Sequence, residues 1–129
     1  SIGIELVNPG NEPFPEPQMA ALERLLAQIM ARWGIGPAGI IGHSDMAPGR
    51  KIDPGPRFDW ARLALQGLAV WPAPSPVAEA PLAESLTRIG YPDAPERLAA
   101  FRLRFRPWAT GPEDATDRRI AAALAYSLS

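Results

Sequence analysis

The sequence of 129 residues contains no cysteine, one histidine (His43) and one lysine (Lys51). Without cysteine, the chain has no disulfide and no thiolate ligand for a metal ion. Its formal net charge is −1, which gives no electrostatic basis for binding nucleic acid or an anionic membrane. No apolar run is long enough to cross a bilayer. The remaining composition, 47% apolar and 21% charged, is typical of a globular protein.

The only histidine and the only lysine lie in one segment, residues 42–55, which reads GHSDMAPGRKIDPG. Every other basic residue is arginine, which stays charged and has no free nitrogen lone pair with which to bind a metal. The neutral imidazole of His43 and the carboxylate of Asp53 are both chemical groups that can bind zinc. A single histidine is, however, more often a surface or hydrogen-bonded core residue, so the segment alone leaves both interpretations open.

The first 70 residues show the periodicities of strands and helices. Ile2, Ile4 and Leu6 alternate with other residues, which indicates a strand with Glu5 facing away from them. Apolar residues then recur at helical spacing from Pro17 to a predicted C-terminal cap at Gly34. A short apolar run, residues 39–42, predicts a buried strand with His43 at its C-terminal end. The loop that follows is rich in proline and glycine, which suits a site that needs fixed positions. After this loop, Asp59 is expected to cap a short helix.

A proline-rich segment separates this part from a helical one. Residues 71–76 read WPAPSP, which is typical of a semi-rigid linker. Three short helices follow: one closed by Gly90, one opened by Pro95 and one capped by Asp114 or Thr116. We therefore predict a boundary after residue 71, a linker over residues 72–80 and a small all-α, three-helix domain over residues 81–129.

Two sequence blocks resemble the zinc amidases that cleave the N-acetylmuramoyl–L-alanine bond of peptidoglycan. They are SIGIELVN (residues 1–8) and GHSDMAPGRKIDPGP (residues 42–56). The resemblance implies an α/β fold with a mixed central β-sheet flanked by helices. It also implies Zn²⁺ bound by His43 and Asp53, a zinc-activated water, Glu5 as general base and Lys51 as stabiliser of the oxyanion.

The C-terminal helices resemble the three-helix peptidoglycan-binding domain. The resemblance is carried by LTRIGY (residues 86–91) and AAFRLRFRP (residues 99–107). It implies a unit that holds the enzyme on the wall polymer and raises its local concentration there. Since a small soluble substrate needs no such anchor, we expect the bacterial cell envelope, periplasmic or outer-membrane-associated, rather than the cytoplasm.

Each candidate side chain also has a simpler interpretation. Glu5 alone reads as a solvated strand carboxylate, and Lys51 as an exposed loop lysine. Arg50 suits recognition of a stem-peptide carboxylate, since its guanidinium binds carboxylates bidentately, but a solvated arginine fits nearly as well. Asp45 reads as a residue that shapes the loop by accepting backbone hydrogen bonds, not as a ligand.

In the resembling family, a further zinc histidine lies upstream of the first strand. We therefore expect an upstream N-terminal fragment of the same precursor to supply the third zinc ligand and to complete the sheet. The expected substrate is peptidoglycan or a muropeptide. The alternatives are a non-catalytic peptidoglycan-recognition protein of the same fold and a cytoplasmic recycling amidase that acts on anhydro-muropeptides.

Overall fold

The first part of the chain is organised around one long helix. In the computed structural model, which describes residues 2–8, 12–73 and 79–128, helix α1 spans Glu16–Trp33. Gly34 ends it in the left-handed conformation at φ 65°, which glycine adopts without strain. The buried face of α1 consists of Met19, Leu22 and Leu26. The predicted amphipathic helix and its glycine cap are confirmed.

Short elements connect α1 to the rest of this part. A 3₁₀ turn spans Pro37–Gly39, α2 spans His43–Met46 and α3 spans Trp60–Leu65. Asp59 begins α3 by accepting a hydrogen bond from the Arg62 backbone N–H at 3.0 Å, as its position before the helix predicted.

The predicted central β-sheet is wrong for this structure, because the described residues are helical or irregular and contain no β-strand. Extended backbone becomes a strand only when a neighbouring strand pairs with its N–H and C=O groups. Residues 2–8 have no such partner strand among the described residues. Apolar side chains of the two predicted strands are largely exposed, 52% for Ile2, 37% for Ile4 and 55% for Ile41, whereas Leu6 is partly buried. The short run before His43 is likewise a 3₁₀ turn and irregular chain.

The second part of the chain is the helical unit, residues 82–127, which contains α4 (Leu82–Ile89), α5 (Arg97–Phe105) and α6 (Ala115–Ser127). Gly90 ends α4, and Asp114 caps α6 by accepting from the Asp117 backbone N–H at 2.9 Å. These three predicted helices are confirmed. Residues 74–78 of the predicted linker lie outside the described residues.

One hydrophobic cluster lies in the first part of the chain, and a second lies in the helical unit. The first contains Met19, Leu22, Leu26, Phe58, Trp60, Leu63, Leu68 and Ala69. The second contains Leu82, Leu86, Tyr91, Ala100, Phe101, Phe105, Ala121 and Leu124. They meet where Val70 packs against the second cluster and the Arg104 guanidinium lies over the Trp60 ring, 4.0 Å from its centroid. The domain boundaries themselves stay a prediction. Within the part of the chain that the structure describes, no helix is long and apolar enough to span a membrane.

Candidate metal site

His43 begins the one-turn helix α2 in the segment that we call the site loop, residues 42–55. Gly42 precedes it as the N-cap. A Cβ atom at Gly42 would lie 2.9 Å from Pro54 Cδ and 3.3 Å from Trp60 Cζ2. The chain therefore approaches its neighbours here at a distance that only glycine permits, and this close approach sets where His43 leaves the backbone.

The site loop brings His43 and Asp53 together. His43 Nδ1 lies 3.3 Å from Asp53 Oδ2, and the Ser44 backbone N–H donates to the Asp53 carbonyl at 3.0 Å. The side chains are 40% and 64% exposed, so the pair is open to solvent. The peptide bond between Asp53 and Pro54 is cis. The predicted pair is thus adjacent in space, while its role as a zinc-ligand pair stays a prediction.

The spacing of this pair suits zinc. Two ligand atoms at the usual zinc distances and a tetrahedral angle lie roughly 3.3–3.6 Å apart. The observed separation of 3.3 Å between Nδ1 and Oδ2 matches that range. Nitrogen and carboxylate oxygen are also a donor set that zinc accepts. No group of three or more His, Cys, Asp or Glu side chains suited to a metal occurs among the described residues, so this pair provides two candidate ligands and no third.

The other candidate residues lie near the surface. The backbone N–H groups of Arg50 and Lys51 both donate to the Ala47 carbonyl, at 3.1 and 3.0 Å, which folds the loop back toward α2. Their side chains are exposed. Glu5 is exposed as well, and no hydrogen bond or ion pair of the described residues joins its side chain to the site loop. The predicted roles of these three residues remain predictions.

Asp45 has the structural place that its sequence position indicated. Its Oδ2 accepts from the Gly42 backbone N–H at 2.9 Å, which closes the turn around His43. Its Oδ1 accepts from the Tyr91 hydroxyl at 2.6 Å. Burial raises the pKa of the Asp45 carboxyl, although hydrogen bonds from Tyr91 and Gly42 and the Arg104 charge act in the opposite direction.

Sequence analysis missed two residues that support this loop, Tyr91 and Arg104. Tyr91 is buried in the second cluster, and burial followed by the nearby Asp45 charge raises the pKa of its hydroxyl. Arg104 is 4% exposed, and its Nη2 donates to the Val70 carbonyl at 2.6 Å. Burial lowers the pKa of Arg104 to about 10. The burial of an arginine between two clusters cannot be read from the neighbouring residues. Tyr91 was noted only as part of the segment that resembles the helical domain.

Comparison with known proteins gives this geometry a family context. Residues 1–56 match the family model described as N-acetylmuramoyl-L-alanine amidase. The chain is 41% identical over 155 aligned residues to the N-acetylmuramoyl-L-alanine amidase AmiD of Escherichia coli K12, covering 96% of this chain and 56% of that protein. It is 44% identical over 63 residues to the 1,6-anhydro-N-acetylmuramyl-L-alanine amidase AmpD of Enterobacter cloacae, covering 49% of this chain and 34% of the relative.

Solved structures agree with the sequence comparison. The structure of E. coli AmiD in complex with anhydro-N-acetylmuramic acid-L-Ala-D-γ-Glu-L-Lys superposes with a TM-score of 0.79 at 36% identity, over 89% of this chain and 53% of that one. AmpDh3 from Pseudomonas aeruginosa gives a TM-score of 0.78 at 28% identity, over 90% of this chain and 55% of that one. The chain spans little more than half of AmiD and of AmpDh3, and its match covers 34% of AmpD. It is similar over most of its length to N-acetylmuramoyl-L-alanine amidases, and residues 1–56 carry that family's sequence pattern.

Proposed function

We propose that the protein containing this chain is a zinc-dependent N-acetylmuramoyl-L-alanine amidase. The observation that carries the proposal is the 3.3 Å approach of His43 Nδ1 to Asp53 Oδ2, two zinc-type donors held open to solvent. The match of residues 1–56 to the amidase family supports the same chemistry. The bond cleaved is the amide between the lactyl group of N-acetylmuramic acid and L-alanine.

The chain's own residues supply the proton transfers and the charge stabilisation. Zinc, when bound, supplies Lewis-acid activation of water and of the amide carbonyl. The Glu5 carboxylate accepts a proton as water oxygen forms its bond to the carbonyl carbon, and returns that proton to the leaving nitrogen as the C–N bond breaks. The Lys51 ammonium stabilises the negative charge on the carbonyl oxygen. Lys51 suits this task because it is an exposed cation in the loop that also holds Asp53.

The substrate in this proposal is a muropeptide or peptidoglycan itself. The relative AmiD was solved with an anhydro-muramyl tripeptide, which makes this molecule a rational first test substrate. Arg50 is exposed beside Lys51 and binds a carboxylate of the stem peptide. The helical unit binds wall polymer, and its open groove, lined by Leu82, Leu98 and Arg97 among others, is a place for that contact. The envelope location follows as part of the proposal.

A further segment of the protein completes the site. Ile2, Ile4 and Ile41 are exposed apolar side chains that a pairing segment would cover. The same segment supplies the remaining zinc ligand, since His43 and Asp53 provide two of the three protein ligands of a catalytic zinc site. We expect the isolated 129-residue chain to bind zinc far more weakly than the whole protein does, as measured by competition with a chelator.

The experiment for the proposed function measures zinc content and amide hydrolysis in the same preparations. His43→Ala and Asp53→Ala should lose zinc and activity on the anhydro-muramyl tripeptide. Asp93→Ala is the matched control, because the Asp93 side chain is fully exposed and distant from the site loop in the sequence. Full zinc occupancy in His43→Ala would refute the site. Muropeptide binding without zinc and without hydrolysis would favour the recognition protein.

A further inference from the structure

We infer that Tyr91 of the helical unit is a positioning residue for His43, so that the helical unit forms part of the metal-site scaffold. The inference rests on the proposed function, in which His43 binds zinc. It assigns to this part of the chain a task beyond attachment to the cell wall. The contacts that carry it join the site loop to the helical unit at two separate points.

The first contact runs through Asp45. One carboxylate oxygen accepts from the Gly42 N–H at 2.9 Å and the other accepts from the Tyr91 hydroxyl at 2.6 Å. Gly42 and Asp45 enclose His43 in the one-turn helix α2, whose own bonds include Asp45 N–H to the Gly42 carbonyl at 3.1 Å. A turn of this length has too few internal bonds to be stable alone. Its orientation therefore depends on external contacts. The bond from the Ser44 N–H to the Asp53 carbonyl is one of them, and the hydrogen bond from Tyr91 is the one that the helical unit provides.

Tyr91 is itself held rigidly. It follows Gly90 at the end of α4, and its backbone N–H donates to the Leu86 carbonyl at 3.0 Å. The side chain is 7% exposed and its ring meets Phe101 edge-on, with centroids 6.3 Å apart. A phenol fixed by both its backbone and its ring offers its hydroxyl at a constant position, as a supporting residue of a metal site must.

The second contact lies at the far side of α2. A Cβ atom at Gly49 would lie 2.7 Å from both Cγ and Cδ of Glu96, the residue that precedes α5. The backbone of the site loop thus touches the helical unit directly at Gly49. Arg104 of α5 completes the junction, since its guanidinium lies 4.0 Å from the Trp60 ring centroid. The site loop therefore meets the helical unit at Asp45 and again at Gly49.

The test is the zinc dissociation constant of Tyr91→Phe in the whole protein, measured by competition with a chelator. Phenylalanine keeps the ring packing against Phe101 and removes only the hydroxyl. We expect zinc affinity to fall about 10-fold, the lower end of the effect of residues that support metal ligands. We also expect the visible spectrum of the cobalt-substituted protein to change, which a loss of overall stability would not produce.

Two control variants separate positioning from stability. Tyr126→Phe removes the other tyrosine hydroxyl of the chain, which lies on a side chain 53% exposed in α6. Ile120→Val removes one methylene from a residue that packs against the second cluster without being part of the site loop. Both should keep the wild-type zinc affinity and cobalt spectrum. Asp45→Ala should weaken zinc binding, and adding Tyr91→Phe to it should change little more, because both variants lack the hydrogen bond from Tyr91 to Asp45.

The outcomes distinguish the two proposals. Zinc affinity of Tyr91→Phe within about twofold of the wild type, with an unchanged cobalt spectrum and zinc lost in His43→Ala, overturns the positioning role and leaves the proposed function standing. Zinc retained in His43→Ala overturns the proposed function and the positioning role together. A similar fall in zinc affinity in Ile120→Val also overturns the positioning role, because general destabilisation would then explain the effect.

Discussion

The change Asp117→Asn should destabilise the helical unit by about 3–5 kcal/mol, the usual cost of removing one partner from a buried ion pair. Asp117 is 0% exposed. One carboxylate oxygen accepts from Arg106 Nη1 at 2.6 Å, and the other accepts from Arg102 Nη2 at 2.6 Å and the Asp114 N–H at 3.1 Å. Asparagine has one acceptor oxygen, so its NH₂ group must face a donor, and two buried guanidinium groups lose their shared counter-charge.

Urea unfolding followed by circular dichroism measures this loss as a lower midpoint at an unchanged slope. Asp114→Asn is the matched control, because Asp114 is a partly exposed N-cap and asparagine caps a helix about as well as aspartate does. Adding Arg106→Met to Asp117→Asn should recover part of the stability, since it removes one of the uncompensated charges. A loss below about 1 kcal/mol for Asp117→Asn would refute the reasoning, because an exposed ion pair contributes that much.

Four further experimental outcomes are expected from the proposed roles and from the described contacts. Glu5→Gln and Lys51→Met should each keep zinc and substrate binding but raise the activation barrier for hydrolysis by about 3 kcal/mol, as the loss of one oxyanion donor does. Single-turnover hydrolysis of a muropeptide measures the resulting fall in rate. Arg50→Gln should raise KM for substrates with a free stem-peptide carboxylate and leave kcat nearly unchanged. Gly49→Ala should lower the unfolding free energy by about 1–2 kcal/mol, because its φ of 77° suits glycine only, and thermal unfolding would detect this loss. Burial opposes ionisation of Asp117, but hydrogen bonds from Arg102 and Arg106 outweigh burial and lower the pKa of Asp117. The stability that ionised Asp117 contributes is therefore present above the unfolded pKa of about 3.9 and is lost as the pH falls below that value. Between about pH 5 and pH 3, the urea midpoint should fall more for the wild type than for Asp117→Asn.

The features predicted correctly from the sequence are those that local chemistry determines. Gly34, Asp59, Gly90 and Asp114 end or begin helices through their own backbone freedom or their own side-chain oxygens. His43 and Asp53 lie 3.3 Å apart across the proline-containing loop, while their joint action on zinc stays a prediction. In each case the physical cause lies within a few residues.

The features predicted wrongly or missed depend on distant residues. The two predicted strands had apolar patterns, but pairing requires a neighbour that no local pattern supplies. The hydrogen bond between Tyr91 and Asp45 joins residues that are 46 positions apart, one in the second hydrophobic cluster and one in the site loop. Glu5 is the clearest example, because its proposed role as general base depends on the position of the zinc site, which the residues around Glu5 do not reveal.

The direct contact of Gly49 with Glu96 bears on where this chain can be divided or recombined. A cut in the proline-rich segment would leave the site loop on one piece, and Tyr91 and Glu96, which meet it, on the other. A replacement for the helical unit would have to place a phenol opposite Asp45 and leave room for the backbone at Gly49. A productive crossover in this protein therefore follows the junction between the two hydrophobic clusters, with the residues on both sides of it inherited together.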